Sequence, residues 1–136
     1  MLSLKIKTEV AELERIFAAV DELAVQNNWP DDFIFRINLV IEEVAMNCIK
    51  YCHMEGVSDF EITMDPQDDV LTVEIIDAGR PFDPLTDAPE ADTDSDIDDR
   101  AIGGLGIHLV RTMTDDMRYR READQNHLTL IMHKPS

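Results

Sequence analysis

From Phe33 to Cys52 the apolar residues return at three- and four-residue intervals: Phe33, Ile37, Val40, Ile41, Val44, Cys48 and Cys52. That spacing sets all of them on one stripe of a helix, and it is the strongest local constraint in the chain. "NNWPDD" precedes it as a breaker, with Pro30 suited to a helix first turn. The helix is expected to end near His53–Gly56.

The periodicities around this helix set the fold class. "LSLKIK" alternates through Leu2, Leu4 and Ile6 and reads as a half-buried strand. From Thr8 the period lengthens, and Val10, Leu13, Phe17, Val20 and Leu23 or Ala24 mark a helix to about Asn28. Beyond the long helix, "DFEITMD" and "VLTVEIID" read as strands joined by a hairpin turn at "PQDD". From Ala78 to about Arg100 no apolar period survives, and "DAPEADTDSDIDD" is too polar for a core. A loop of that length in a compact domain is generally a functional lid or a disordered segment. Leu105, Leu109, Val110 and Met113 predict a further helix to about Asp115, and "MRYRRE" and "NHLTLIMHK" a last strand pair. The order β-α-α-β-β-lid-α-β-β predicts an α+β fold. It is a two-layer sandwich, one mostly antiparallel sheet with three main helices on a single face. Residues 1–136 are read as one domain, with a flexible lid at about 78–102.

Charge narrows the partners. Twelve basic residues face 29 acidic ones, for a net charge of −17. Such a surface repels nucleic-acid backbones and anionic membranes, which points to no nucleic acid and no membrane and favours a basic partner. No apolar window approaches a membrane span and the first residues carry no secretory pattern, so a cytoplasmic location is expected. Cys48, Cys52 and His53 lack a fourth ligand and a zinc-type spacing, so the two cysteines are read as free thiols.

Three short motifs could carry chemistry. Glu43 and Asn47 are four apart on the long helix and share a face, with Lys50 continuing that stripe beside the apolar one. A carboxylate and an amide so placed could share a hydrated Mg²⁺, the amide oxygen binding the ion and the carboxylate steering a hydroxyl. Solvated helix faces produce the same pair constantly. Asp77 ends an apolar strand in "DAGRPFD", where it could accept a hydrogen bond from a ligand amino group while Gly79 allows close approach. A plain strand-ending turn is the competing reading.

"IGGLGIHLV" gathers Gly103, Gly104 and Gly106 ahead of a helix. It lacks the third glycine of a dinucleotide fingerprint and the Gly-Lys-Ser/Thr of a P-loop. A phosphate cradle at a helix start and a mere hinge both remain open. The alternating Asp92, Asp94 and Asp96 do not complete a calcium loop, since Ile97 and Gly103 occupy the positions that need Gly and Glu. The histidines and serines assemble no nucleophilic triad.

In sequence order these motifs resemble the Bergerat-fold (GHKL) ATPases. "EEVAMNCIKY", "DAGRPFDPL" and "IGGLGIHLVRTMTDDMRYRRE" look most like the stand-alone anti-sigma-factor serine/threonine kinase branch. The resemblance runs from about Leu4 to Lys134. It implies ATP and Mg²⁺ as cofactors, Asn47 as the Mg²⁺ ligand and Glu43 as general base. It implies Asp77 and Gly79 at the adenine. Gly103, Gly104 and Gly106, with the amides of Leu105 and Ile107, would hold the phosphates. Arg100 would face the γ-phosphate and Lys50 assist electrostatically. The acceptor it implies is a STAS-domain anti-anti-sigma protein, with a sigma factor as second partner and a homodimer as a common state. The alternative is a catalytically silent nucleotide-binding module that acts by sequestering a partner.

Overall fold

The computed structural model describes residues 1–81 and 110–135. Strand β1 (Leu2–Lys7) is followed by a 3-10 turn at Val10–Glu12, then α1 (Leu13–Asn27) and α2 (Asp31–Met54). Strands β2 (Asp59–Gln67) and β3 (Val70–Asp77) come next, and after helical residues 110–113 come β4 (Asp116–Glu122) and β5 (Gln125–His133). The five strands form one sheet in the order β1-β2-β3-β5-β4, with every neighbouring pair antiparallel. The expected α+β sandwich is the observed one, and its sheet is antiparallel throughout.

Alternation explains the two layers. Phe60, Ile62 and Met64 of β2, Leu71, Val73 and Ile75 of β3, and Leu128, Leu130 and Met132 of β5 are all buried. Their neighbours in the opposite phase, such as Thr63, Glu74 and Thr129, are not. One face of the sheet therefore takes the helices, and the other is polar. All seven residues of the α2 stripe are buried, joined by Ala45, Asn47 and Ile49. Phe33, 1% exposed, anchors the start of α2 against Trp29 in an edge-on contact at 5.4 Å. Its burial stabilises by roughly 1.5–3 kcal/mol. The helix ends where Gly56, at φ 75, turns the chain and Val57 N–H reaches back to the Cys52 carbonyl at 2.7 Å.

Three expectations shift locally. Val10 is 59% exposed and Ile16 fully buried, because the 3-10 turn rotates the phase before α1 begins. Phe17 packs only partly against the core. The hairpin turn narrows to Asp68 and Asp69, since Pro66 pairs with Leu71 and Gln67 with Val70; Asp68 supplies the left-handed residue at φ 54. The helix after the glycines stops at Met113, because the Asp115 N–H bonds the Ile131 carbonyl at 2.8 Å and so starts the β4 edge. Among the described residues, no helix is long and apolar enough to cross a membrane.

Candidate functional site

The inner face of α2 and the end of β3 meet in a cleft whose lining includes Val44, Asn47, Cys48, Tyr51, Ile75 and Asp77. Asn47 is only 8% exposed, and its Oδ1 is fully buried with no hydrogen-bond partner among the described residues. An unmatched amide oxygen of this kind costs about 1–3 kcal/mol. It persists in native proteins where strain, function, water or an ion accounts for it. A hard oxygen donor beside a carboxylate fits Mg²⁺, and Glu43 stands half-exposed one turn earlier on the same helix. Lys50 is half-buried on α2 and does not line the cleft.

Asp77 is held from the neighbouring strand β5 and by its own turn. Its Oδ1 accepts from the Gly79 N–H and from Asn126 Nδ2, both at 2.9 Å. Asn126 Nδ2 also donates to the Arg80 carbonyl at 2.8 Å, and Asn126 Oδ1 accepts from the Tyr119 hydroxyl at 2.6 Å. The Arg121 guanidinium donates to the Gly79 carbonyl at 2.7 Å. The turn after β3 is thus clamped by β4 and β5. Asp77 Oδ2 lies 3.8 Å from the Cys48 thiol within the cleft lining. A methyl group on Gly79 would stand 3.0 Å from Asp77 Oδ1, so glycine is the residue this turn accommodates. Arg80 pairs with Glu55 at 3.6 Å and lies 6.0 Å from the Tyr51 ring centre, at the rim.

The remaining wall is neutral. Cys48 Sγ lies 3.6 Å from Cys52 Sγ. The hydrogen bond to Cys52, then burial, then the charge of Asp77, hold the Cys48 thiol well above its ordinary pKa. Apolar side chains, two thiols and one anchored carboxylate suit a flat heterocycle bearing an exocyclic amino group.

The structure therefore brings Asn47, Asp77 and Gly79 into one cleft, and Glu43 lies one helical turn before Asn47 without lining it. Arg100, Gly103, Gly104, Leu105, Gly106 and Ile107 lie outside the described residues. Sequence reasoning missed Asn126, Tyr119 and Arg121. Asn126 did leave a signal, as a polar residue in the inward phase that continues through Leu128, Leu130 and Met132.

A single antiparallel sheet under helices, with a strand-end carboxylate opposite a helix that carries Glu43 and Asn47, fits a nucleotide-binding domain. The histidine kinase-like ATPase domain model matches residues 6–132, and the chain belongs to that family. Membership makes ATP the nucleotide. The chain is 30% identical over 122 residues to the serine-protein kinase RsbW of Listeria monocytogenes, covering 86% of this chain and 76% of that one. It is 26% identical over 115 residues to the serine/threonine-protein kinase BtrW of Bordetella bronchiseptica, covering 84% and 80%. In fold it is similar to a chain of the SiaB–SiaC complex of Pseudomonas aeruginosa, with TM-score 0.69 and 13% identity, covering 97% of this chain and 89% of that chain. A structure of the RsbU and RsbW domains of Rv1364c from Mycobacterium tuberculosis gives TM-score 0.64 at 14% identity, covering 98% of this chain and 33% of that one.

Proposed function

We propose that the chain is a one-domain, ATP-dependent serine/threonine protein kinase that works by partner switching. Its acceptor is a STAS-domain anti-anti-sigma protein, and its second partner is a sigma factor. The observation that carries the reading is the buried Oδ1 of Asn47, without a hydrogen-bond partner among the described residues, one helical turn from Glu43 and in the same cleft as Asp77. Kinase relatives at 30% and 26% identity support it.

Each residue has a part. Asp77 Oδ2 accepts a hydrogen bond from the adenine amino group while Asn126 and Gly79 hold Oδ1. Asn47 would hold Mg²⁺ through Oδ1. Bound Mg²⁺-ATP supplies the γ-phosphoryl group. Glu43 takes the proton from the acceptor hydroxyl as that oxygen approaches phosphorus, so the enzyme contributes positioning and a base. Gly103, Gly104 and Gly106, with the Leu105 and Ile107 amides, would receive phosphate oxygens, Arg100 would serve the γ-phosphate, and Lys50 would add positive charge from α2. A phosphorylated acceptor gains roughly −1.5 to −2 charges, and a chain of net charge −17 repels it. Two unbridged thiols 3.6 Å apart fit a reducing cytoplasm.

The test is incubation with γ-labelled ATP, Mg²⁺ and the protein encoded beside this chain. Label is expected on a serine or threonine of that protein, and Glu43→Ala should abolish transfer while ATP still binds. A stable complex without transfer under any Mg²⁺ condition would replace kinase activity by sequestration alone.

A further inference from the structure

The chain holds two cysteines, and both converge on the same carboxylate. Cys48 and Cys52 lie one turn apart on the inner face of α2, 9% and 2% exposed. Their sulfurs are 3.6 Å apart, and Cys48 Sγ is 3.8 Å from Asp77 Oδ2. One ligand atom from each of the three residues lies within 4.8 Å of the others.

The two shorter separations, 3.6 and 3.8 Å, match the edges of a metal tetrahedron. With zinc–sulfur bonds of about 2.3 Å and zinc–oxygen bonds of about 2.0–2.2 Å, two sulfurs sit about 3.8 Å apart and a sulfur and oxygen about 3.5 Å. A helix and a strand end thus offer two sulfurs and an oxygen near one point, all within 4.8 Å of one another. The carboxylate is also oriented as a ligand should be. Gly79 and Asn126 both donate to Oδ1, which leaves Oδ2 toward the sulfurs. All three residues line the cleft, so a fourth position can open into it.

We propose that Cys48 Sγ, Cys52 Sγ and Asp77 Oδ2 form a site for a soft or borderline divalent cation of the zinc class, and that its occupation excludes adenine. Sulfur donors select such ions over Mg²⁺, so this site is chemically distinct from the oxygen donor of Asn47. Each thiol that binds the ion releases its proton to solvent. The exclusion rests on the nucleotide reading above, because Asp77 Oδ2 is the atom both ligands need. The ion site itself does not.

The experiment titrates the reduced full-length chain with Cd²⁺ alone, in buffer free of Mg²⁺ and nucleotide. Thiolate-to-cadmium charge-transfer absorbance is followed, which in this chain reports only Cys48 and Cys52. A saturating band at one ion per chain is expected. Cys48→Ser, Cys52→Ser and Asp77→Asn should each weaken binding by more than the roughly tenfold that loss of an outer-shell partner costs. Cys48→Ala and Cys52→Ala, with far-ultraviolet circular dichroism, separate loss of a ligand from loss of fold. Absence of the band in the wild-type chain, or unchanged affinity in folded variants, overturns the site.

Exclusion is tested with adenosine, which carries the base but no chelating phosphates. Its binding to the metal-free chain is measured first, by calorimetry. Adenosine should then lower the apparent Cd²⁺ affinity. If adenosine binds and leaves Cd²⁺ affinity unchanged, exclusion is overturned. If adenosine does not bind the metal-free chain, exclusion falls together with the adenine reading of Asp77, and the ion site stands or falls on the absorbance alone.

Discussion

Asn126 donates to Asp77 Oδ1 at 2.9 Å although 49 residues separate the two in sequence. They face each other as register partners of β5 and β3. The same amide bonds the Arg80 carbonyl, so a single side chain sets both the carboxylate and the turn after it. Asn126→Ala removes this clamp. Losing a hydrogen bond to a charged group costs about 1.5–3 kcal/mol, so ATP affinity should fall about tenfold or more. Calorimetric titration with ATP checks this, and unchanged affinity would show that Asp77 orients itself.

Asn47→Leu separates stability from function. The substitution keeps the branched shape and the number of side-chain heavy atoms and deletes a buried oxygen that has no partner among the described residues. Thermal stability should hold or rise by up to about 1 kcal/mol, while the Mg²⁺-dependent part of ATP binding disappears. A marked drop in melting temperature would mean that the amide is structural.

Gly79→Ala should damage the site and spare the fold. The new methyl stands 3.0 Å from Asp77 Oδ1 and 3.9 Å from Cys52 Sγ. Overpacking of this kind costs about 1–3 kcal/mol, and here it falls on the carboxylate that meets the base. The expected result is ATP affinity about tenfold lower with an unaltered circular dichroism spectrum. Full affinity would show that the turn yields freely.

The β4–β5 turn is open to improvement. Ala123 and Asp124 both take positive φ, 52 and 62, as a type I′ hairpin requires. Alanine carries a steric penalty there that asparagine largely avoids. Ala123→Asn should stabilise by about 0.5–1 kcal/mol, read as a higher denaturant midpoint with unchanged slope.

The Cys48 thiol predicts an alkaline limb. Its folded pKa is raised well above 9.0. Above that value the unfolded chain releases a proton that the folded chain keeps, so unfolding is favoured as pH rises. The contribution is fully present below pH 9 and is lost on going up through the folded pKa. Cys48→Ala should flatten the fall in stability above pH 9 relative to the parent. Identical slopes would show that the thiol does not titrate differently in the two states.

Much of this architecture is legible without coordinates. Both long helices, the strand pairs and the one-faced layering follow from local periods of two and of three to four, which any segment carries in its own residues. Local phase was less secure, as Val10 and Ile16 show, because one 3-10 turn rotates the helix that follows it. Glu43–Asn47 and Asp77–Gly79 are legible as short motifs, and the structure places Asn47, Asp77 and Gly79 around one cleft.

The sequence by itself determined the fold class, the buried faces of α1 and α2 in outline, and the family. Only the tertiary structure decided what surrounds Asp77. Read along the chain, Cys48 and Cys52 suggested at most His53 as a metal-binding neighbour, and the set looked incomplete. In the fold His53 is exposed, and the third group beside the sulfurs is Asp77, at the end of β3. Asn126 arrives from β5 by the same route. Both meetings depend on antiparallel register and on where α2 crosses the sheet. Those are products of long-range packing, and no local pattern of residues encodes them.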